Sequence, residues 1–133
     1  MSAGSGPPPT ELEIDSELAA DSARLTPAGE LDIASAPQLE REVRSLLDRS
    51  VRLVVIDLGR LTFIDSSALR LFIVLNDRAS EEGWTLELIR PTGQVRSVFE
   101  ITGAEDNLPF IDDPGAADAA GRTGAGDQGK EMA

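Results

Sequence analysis

The sequence predicts an α/β domain, a mixed central β-sheet with helices packed against it. Three observations carry that expectation. Residues 51–56 hold five apolar residues out of six, the density of a central strand covered on both faces. Leu39, Val43, Leu46 and Leu47 fall at offsets of 4, 7 and 8, which is one apolar stripe on a helix. Strand-like and helix-like segments follow one another as β-β-α-β-α-β-α-β, so some strands must be parallel and joined by right-handed helical crossovers.

Taken in order, residues 1–10 are glycine, proline and small polar residues after the first methionine and read as a disordered lead-in. Leu12, Ile14 and Leu18 share one alternating face, a first strand whose pattern lapses at Ser16. Residues 23–28 give a second strand with Leu25 inward, and Pro27 favours an edge or a bulge there. Gly29, Glu30, Leu31 and Asp32 lead out of it. Ser35 is a plausible cap for the first helix, and Pro37 is tolerated in its first turn, where no N–H is needed. Asp57 ends the central strand, and residues 58–64 form a loop. A helix from about Ser66 to Ala79 packs through Leu69, Phe72 and Ile73, with Leu71 and Leu75 broadening its apolar face. Gly83 ends that helix, and residues 84–89 form a strand in which Trp84 is a partly exposed edge of the core. After a turn at residues 91–93, Val95, Val98, Phe99 and Thr102 share one side of a third helix, with Gly103 at its C-cap. Residues 108–111 form a last short strand. The tail, residues 112–133, has five glycines and only Met132 as a large apolar side chain, too little to offset the entropy of ordering. The expected division is a lead-in over 1–10, one domain over 11–111 and an acidic, flexible tail over 112–133.

Composition removes most chemistry. Among 133 residues there is no cysteine and no histidine, so disulfides, Cys/His metal sites and serine–histidine relays are excluded. No cofactor is expected. The net charge is −12, from 12 basic and 24 acidic groups, which disfavours direct contact with a phosphate backbone. No run of 18 apolar residues and no signal-like start are found, so no membrane span and a cytoplasmic location are expected.

Phe63, Ile64, Asp65, Ser66, Ser67, Ala68, Leu69 and Arg70 form the one segment that suggests function. It lies at a helix start, where unpaired N–H groups gather, and Asp65, Ser66 and Ser67 all suit a cap. Capping alone is the ordinary meaning of such a cluster. A hydrolytic serine is ruled out, because the only lysine, Lys130, lies in the tail and Asp65 is a weak base. No enzyme activity is expected. Phosphorylation of a serine is the more physical alternative: the helix start tolerates an anion, while charge and bulk disrupt a partner packed on a hydroxyl. Phe63 is expected to lie under the serine loop, or else to touch a partner. Arg60 and Arg70 read as ordinary solvated charges.

Val54, Val55, Ile56, Asp57 and Leu58 followed by residues 63–69 resemble the signature of STAS domains of the bacterial anti-sigma factor antagonist type. The earlier Gly29, Glu30, Leu31, Asp32 and the later residues 88–91 and 95–103 resemble further elements of that family, in the right order. The resemblance implies a SpoIIAA-like fold over residues 12–111. It implies a non-enzymatic protein that binds an anti-sigma factor with serine kinase activity and frees the sigma factor. It further implies phosphorylation of Ser67, the second serine of the pair, by that kinase, and reversal by a phosphatase. Nucleotide would belong to the partner. Asp32, Asp65, Ser66, Ser67, Ala68 and Leu69 would form the partner-binding surface, with Gly29 and Asp57 shaping loops. Ala68 stands where the family often has glycine, and its methyl group would crowd a close partner backbone. A STAS module without a switch, serving as a stress-signalling scaffold or a lipid-transporter accessory subunit, is the alternative.

Overall fold

The computed structural model describes residues 12–112; the expected lead-in over 1–10 and all of the tail but Asp112 lie outside the described residues. The chain runs β1 (Glu13–Ala19), β2 (Ser22–Leu31), α1 (Ala36–Asp48), β3 (Leu53–Asp57), β4 (Leu61–Ile64), α2 (Ser66–Glu82), β5 (Thr85–Ile89) and α3 (Gly93–Thr102), then a 3-10 turn (Ala104–Asn107) and β6 (Phe110–Ile111). The sheet order is β1-β2-β3-β5-β6, with β4 paired to β2. Among the described residues only β1 and β2 are antiparallel; every other pairing is parallel and reached through helical connections. The mixed α/β sheet expected from sequence is the sheet observed.

Register explains where the core sits. Ala23, Val54 and Leu86 align across β2, β3 and β5, as do Leu25, Ile56 and Leu88, and all six are buried. They form one core with Leu39, Val43 and Leu46 of α1, Leu71, Phe72 and Leu75 of α2, and Val95 and Phe99 of α3. Phe99 links outward again, its ring 6.2 Å from Phe72 and edge-on to Phe110 at 5.1 Å. The intervening residues Arg24, Val55 and Glu87 align on the opposite face and are half-buried. On that face Arg24 donates to Asp57 at 2.6 Å. β3 is therefore fully covered on one face, not on both: its second apolar row, Leu53 and Val55, sits in a lane between polar neighbours.

Other expectations are corrected in the same way. Residues 58–64 are not all loop, because β4 forms within them. Its buried residues Leu61 and Ile64 are three apart with Thr62 and Phe63 exposed, so the segment lacks the alternation of a strand. β2 continues to Leu31 past a bulge. It pairs with β3 at residues 22–25 and with β4 at residues 29–31, with a register shift between Gly29 and Glu30. Gly29 has φ 115, a conformation costly for any other residue. Pro27 falls in the gap between the two partners, where a missing donor costs no pairing on that side.

Along α2 the buried stripe is Ala68, Leu71, Phe72, Leu75 and Ala79. Ile73, one residue and thus about 100° beyond Phe72, is 44% exposed. Trp84 is buried, not partly exposed, and its indole N–H donates to Glu82 at 3.1 Å. Gly83 and Gly103 end α2 and α3 in left-handed conformations. Ser35 occupies the N-cap position of α1 but makes no capping bond. Its hydroxyl donates to the Glu30 carbonyl at 2.8 Å and accepts from the Asp32 amide at 3.0 Å. Among the described residues no helix is long and apolar enough to cross a membrane.

Candidate functional site

The pairing of β2 with β4 builds the site. Leu31 faces Ile64 in register, so Asp32 and Asp65, each one residue further on, leave the sheet side by side. Both are followed by a helix. Asp32 Oδ1 accepts from the amides of Ala34 and Ser35 at 3.0 and 3.1 Å, which fixes the turn that leads into α1. Asp65 goes further and caps α2 itself. Its Oδ1 accepts from Ser67 N at 2.8 Å and Ala68 N at 3.2 Å, and its Oδ2 accepts from Ile33 N at 3.1 Å.

Asp65 thus satisfies donors of α2 and also pins the β2–α1 loop. Capping, expected of three residues, belongs to one of them. The hydroxyls of Ser66 and Ser67 make no hydrogen bond to protein among the described residues. Ser66 is exposed and Ser67 half-buried. Asp65→Ala is therefore expected to lower stability by about 1–2 kcal/mol, the usual loss for a cap. Ser67→Ala should change it by less than about 0.5 kcal/mol. Urea unfolding of the two variants measures the difference.

One shallow groove has Ser67 in its wall, and another lies along β4. The first, of about 230 Å³, lies between α1 and α2 and is lined by Ile33, Ala36, Pro37, Ser67, Arg70 and Leu71 among others. The second, of about 200 Å³, is framed by Thr62, Phe63 and Ile64 of β4 and by Val95 and Val98 of α3. Ile33 is 75% exposed and Phe63 46% exposed. Phe63 is thus not under the serine loop; Ile64, its neighbour, is the one that turns inward.

Of the six residues expected on the partner surface, Ser66 is exposed, while Asp32, Asp65, Ser67 and Leu69 are half-buried around the helix starts. Ala68 is fully buried. Its methyl group packs into the core beneath the serines, so it does not crowd an approaching partner. Ile33 was missed in the sequence. The signal was available: an aliphatic residue between a strand end and a helix start, on neither apolar stripe.

The arrangement offers a hydroxyl without a protein hydrogen bond among the described residues, apolar flanks and a capping carboxylate. Among the described residues no group of three or more Asp or Glu is placed to hold a metal ion. The family model described as "Mlab, STAS domain" matches residues 14–111. The chain is 37% identical over 95 residues to BtrV of Bordetella bronchiseptica, a protein named as an anti-sigma factor antagonist. That match covers 71% of this chain and 82% of BtrV. An anti-sigma factor antagonist from Mycobacterium paratuberculosis superposes with a TM-score of 0.70 at 22% identity, covering 86% of this chain and 97% of that one. SpoIIAA of Bacillus superposes at 20% identity in two forms. The unphosphorylated form has a TM-score of 0.65, with 85% of this chain and 100% of SpoIIAA covered. The phosphorylated form has a TM-score of 0.61, with 84% and 100% covered.

Proposed function

Because the chain belongs to the STAS domain family, we propose that it is an anti-sigma factor antagonist switched by phosphorylation of Ser67. In its unmodified form it binds a cognate anti-sigma factor that is also a serine kinase, and the sigma factor is released. The kinase transfers the γ-phosphoryl group of ATP to Ser67 Oγ, the hydroxyl proton leaves to a base on the kinase, and ADP departs. A phosphatase hydrolyses the ester and restores the binding form. Nucleotide and catalytic groups belong to the partners, so this chain acts without catalysis, in the cytoplasm where transcription is controlled.

The observation that carries this reading is the setting of Ser67. Its hydroxyl stands at the rim of the α1–α2 groove without a protein hydrogen bond among the described residues. Modification therefore breaks no bond of the fold. The added charge of about −1.5 to −2 falls on the surface formed by Asp32, Asp65, Ser66 and Leu69, flanked by exposed Ile33 and Phe63. A partner packed there loses a small hydroxyl and meets a bulky dianion.

Incubation with the anti-sigma factor kinase and ATP, followed by mass mapping of peptides, tests this directly. One phosphate on Ser67 and none on the Ser67→Ala chain is the expected result. Phosphate on the Ser67→Ala chain at equal yield would sink the assignment. No phosphate at all, with recovery of transporter subunits instead, would favour the non-switching module.

A further inference from the structure

Arg70 stands three residues beyond Ser67 on α2, and both side chains line the groove between α1 and α2. Residues at that spacing are neighbours on a helix surface, with Cβ atoms about 5–6 Å apart. Arg70 is exposed and makes no ion pair among the described residues. Glu40, on the opposite wall, is already held by Arg44 and Arg78, each at 3.1 Å. The groove therefore carries a committed anion and an uncommitted cation, and the cation is next to the serine.

We propose that Arg70 is the counter-ion of phosphorylated Ser67, drawing the phosphate across the mouth of the α1–α2 groove. This deepens the reading of Ser67 as the modified residue and rests on it. A phosphate at a helix start would ordinarily settle on free backbone amides. Here Asp65 has taken those of Ser67, Ala68 and Leu69. Its carboxylate holds the amides of Ser67 and Ala68, and its carbonyl oxygen accepts from Ala68 at 3.1 Å and Leu69 at 3.3 Å. The same carboxylate repels a phosphate that stays near the helix axis. Outward along the groove there is a guanidinium, whose planar fork suits a phosphate's paired oxygens.

The other acids near the groove do not compete for Arg70. Glu40 is paired as described, and Asp32 Oδ1 is engaged within its own loop. With the pair formed, the phosphate and the arginine lie over the apolar wall of Ile33, Pro37 and Leu71. Phosphorylation then withdraws three things from a partner together: the small hydroxyl, the free cation and the apolar groove.

The test needs no kinase. Phosphoserine is installed at position 67 during translation, in chains carrying the native Arg70, Arg70→Ala or Arg70→Lys. A cation beside the phosphate favours its dianion, so its second ionisation should fall at lower pH. Followed by phosphorus NMR, the native chain should titrate about half a unit below the Arg70→Ala chain, the size expected of one exposed ion pair. Arg70→Lys should recover part of that shift, and about 1 M salt should abolish it. Equal titration of the native and Arg70→Ala chains, or no recovery with lysine, overturns the proposal. Since the phosphate is installed during translation, that failure leaves the kinase reading standing, and absence of kinase transfer leaves this measurement standing.

Discussion

Phe72→Ala is expected to lower the unfolding free energy by about 3–5 kcal/mol, the range for emptying a fully buried aromatic site. Phe72 is 0% exposed at the centre of the buried stripe of α2. Its ring meets Phe99, and Phe99 meets Phe110, so one side chain ties α2 to α3 and to the last strand. Domains of this size have stabilities of about 5–15 kcal/mol, so the loss removes a large share of the total. Under the proposed switch the effect would also be functional, since α2 carries the serines and its seat on the core sets where they stand. Ile73→Ala is the internal control. That side chain faces outward, and its loss should cost less than about 1 kcal/mol. Urea unfolding of both variants with unchanged m-values checks the pair. Comparable losses at the two positions would mean that α2 is rotated by one residue from the orientation described.

How much of this was legible in the sequence depends on which residues carried a single signal. The α/β class, α1, β5 and the glycine ends of α2 and α3 each followed from an apolar period or a left-handed position that only glycine fills cheaply. β4 did not, because Leu61 and Ile64 point inward at a spacing of three while Thr62 and Phe63 face out. What makes it a strand is β2, which arrives past the bulge at Gly29 with unpaired backbone. That is tertiary information. The coverage of β3 was overread for a related reason: an apolar run does not reveal that Arg24 and Glu87 flank its second face. At the candidate site the segment itself was legible, but the division of labour within it was not. Asp65, Ser66 and Ser67 are equally good caps on paper. Only the side-by-side exit of β2 and β4 lets the Asp65 carboxylate reach α2 and the Ile33 amide together, which leaves both hydroxyls free. Ile33 and Arg70 acquire meaning for the same reason, from helices that are distant in sequence and adjacent in space.

Ser67→Asp is expected to weaken binding to the anti-sigma factor by about 30–100-fold, corresponding to about 2–3 kcal/mol for a charge forced into an interface without a partner. Ser67→Ala should bind within about threefold of the native chain. The asymmetry follows from the geometry. The hydroxyl makes no protein hydrogen bond among the described residues, so alanine leaves no donor or acceptor of the domain unsatisfied. Aspartate brings a second carboxylate close to that of Asp65, whose Oδ1 lies 2.8 Å from the Ser67 amide. A helix start accepts such a charge, so the fold should hold, with a change in stability below about 1 kcal/mol. Loss of binding with the fold intact is the mark of a switch; loss of both would reduce Ser67 to a structural residue. Titration calorimetry at two salt concentrations separates the causes further. The electrostatic part of the loss shrinks as salt rises, whereas the part due to bulk does not. Aspartate carries one charge where phosphoserine carries nearly two, so the true modification should act more strongly. Equal affinity of the native and Ser67→Asp chains would move the switch away from this residue and leave Asp65-Ser66-Ser67 as a helix cap with two idle hydroxyls.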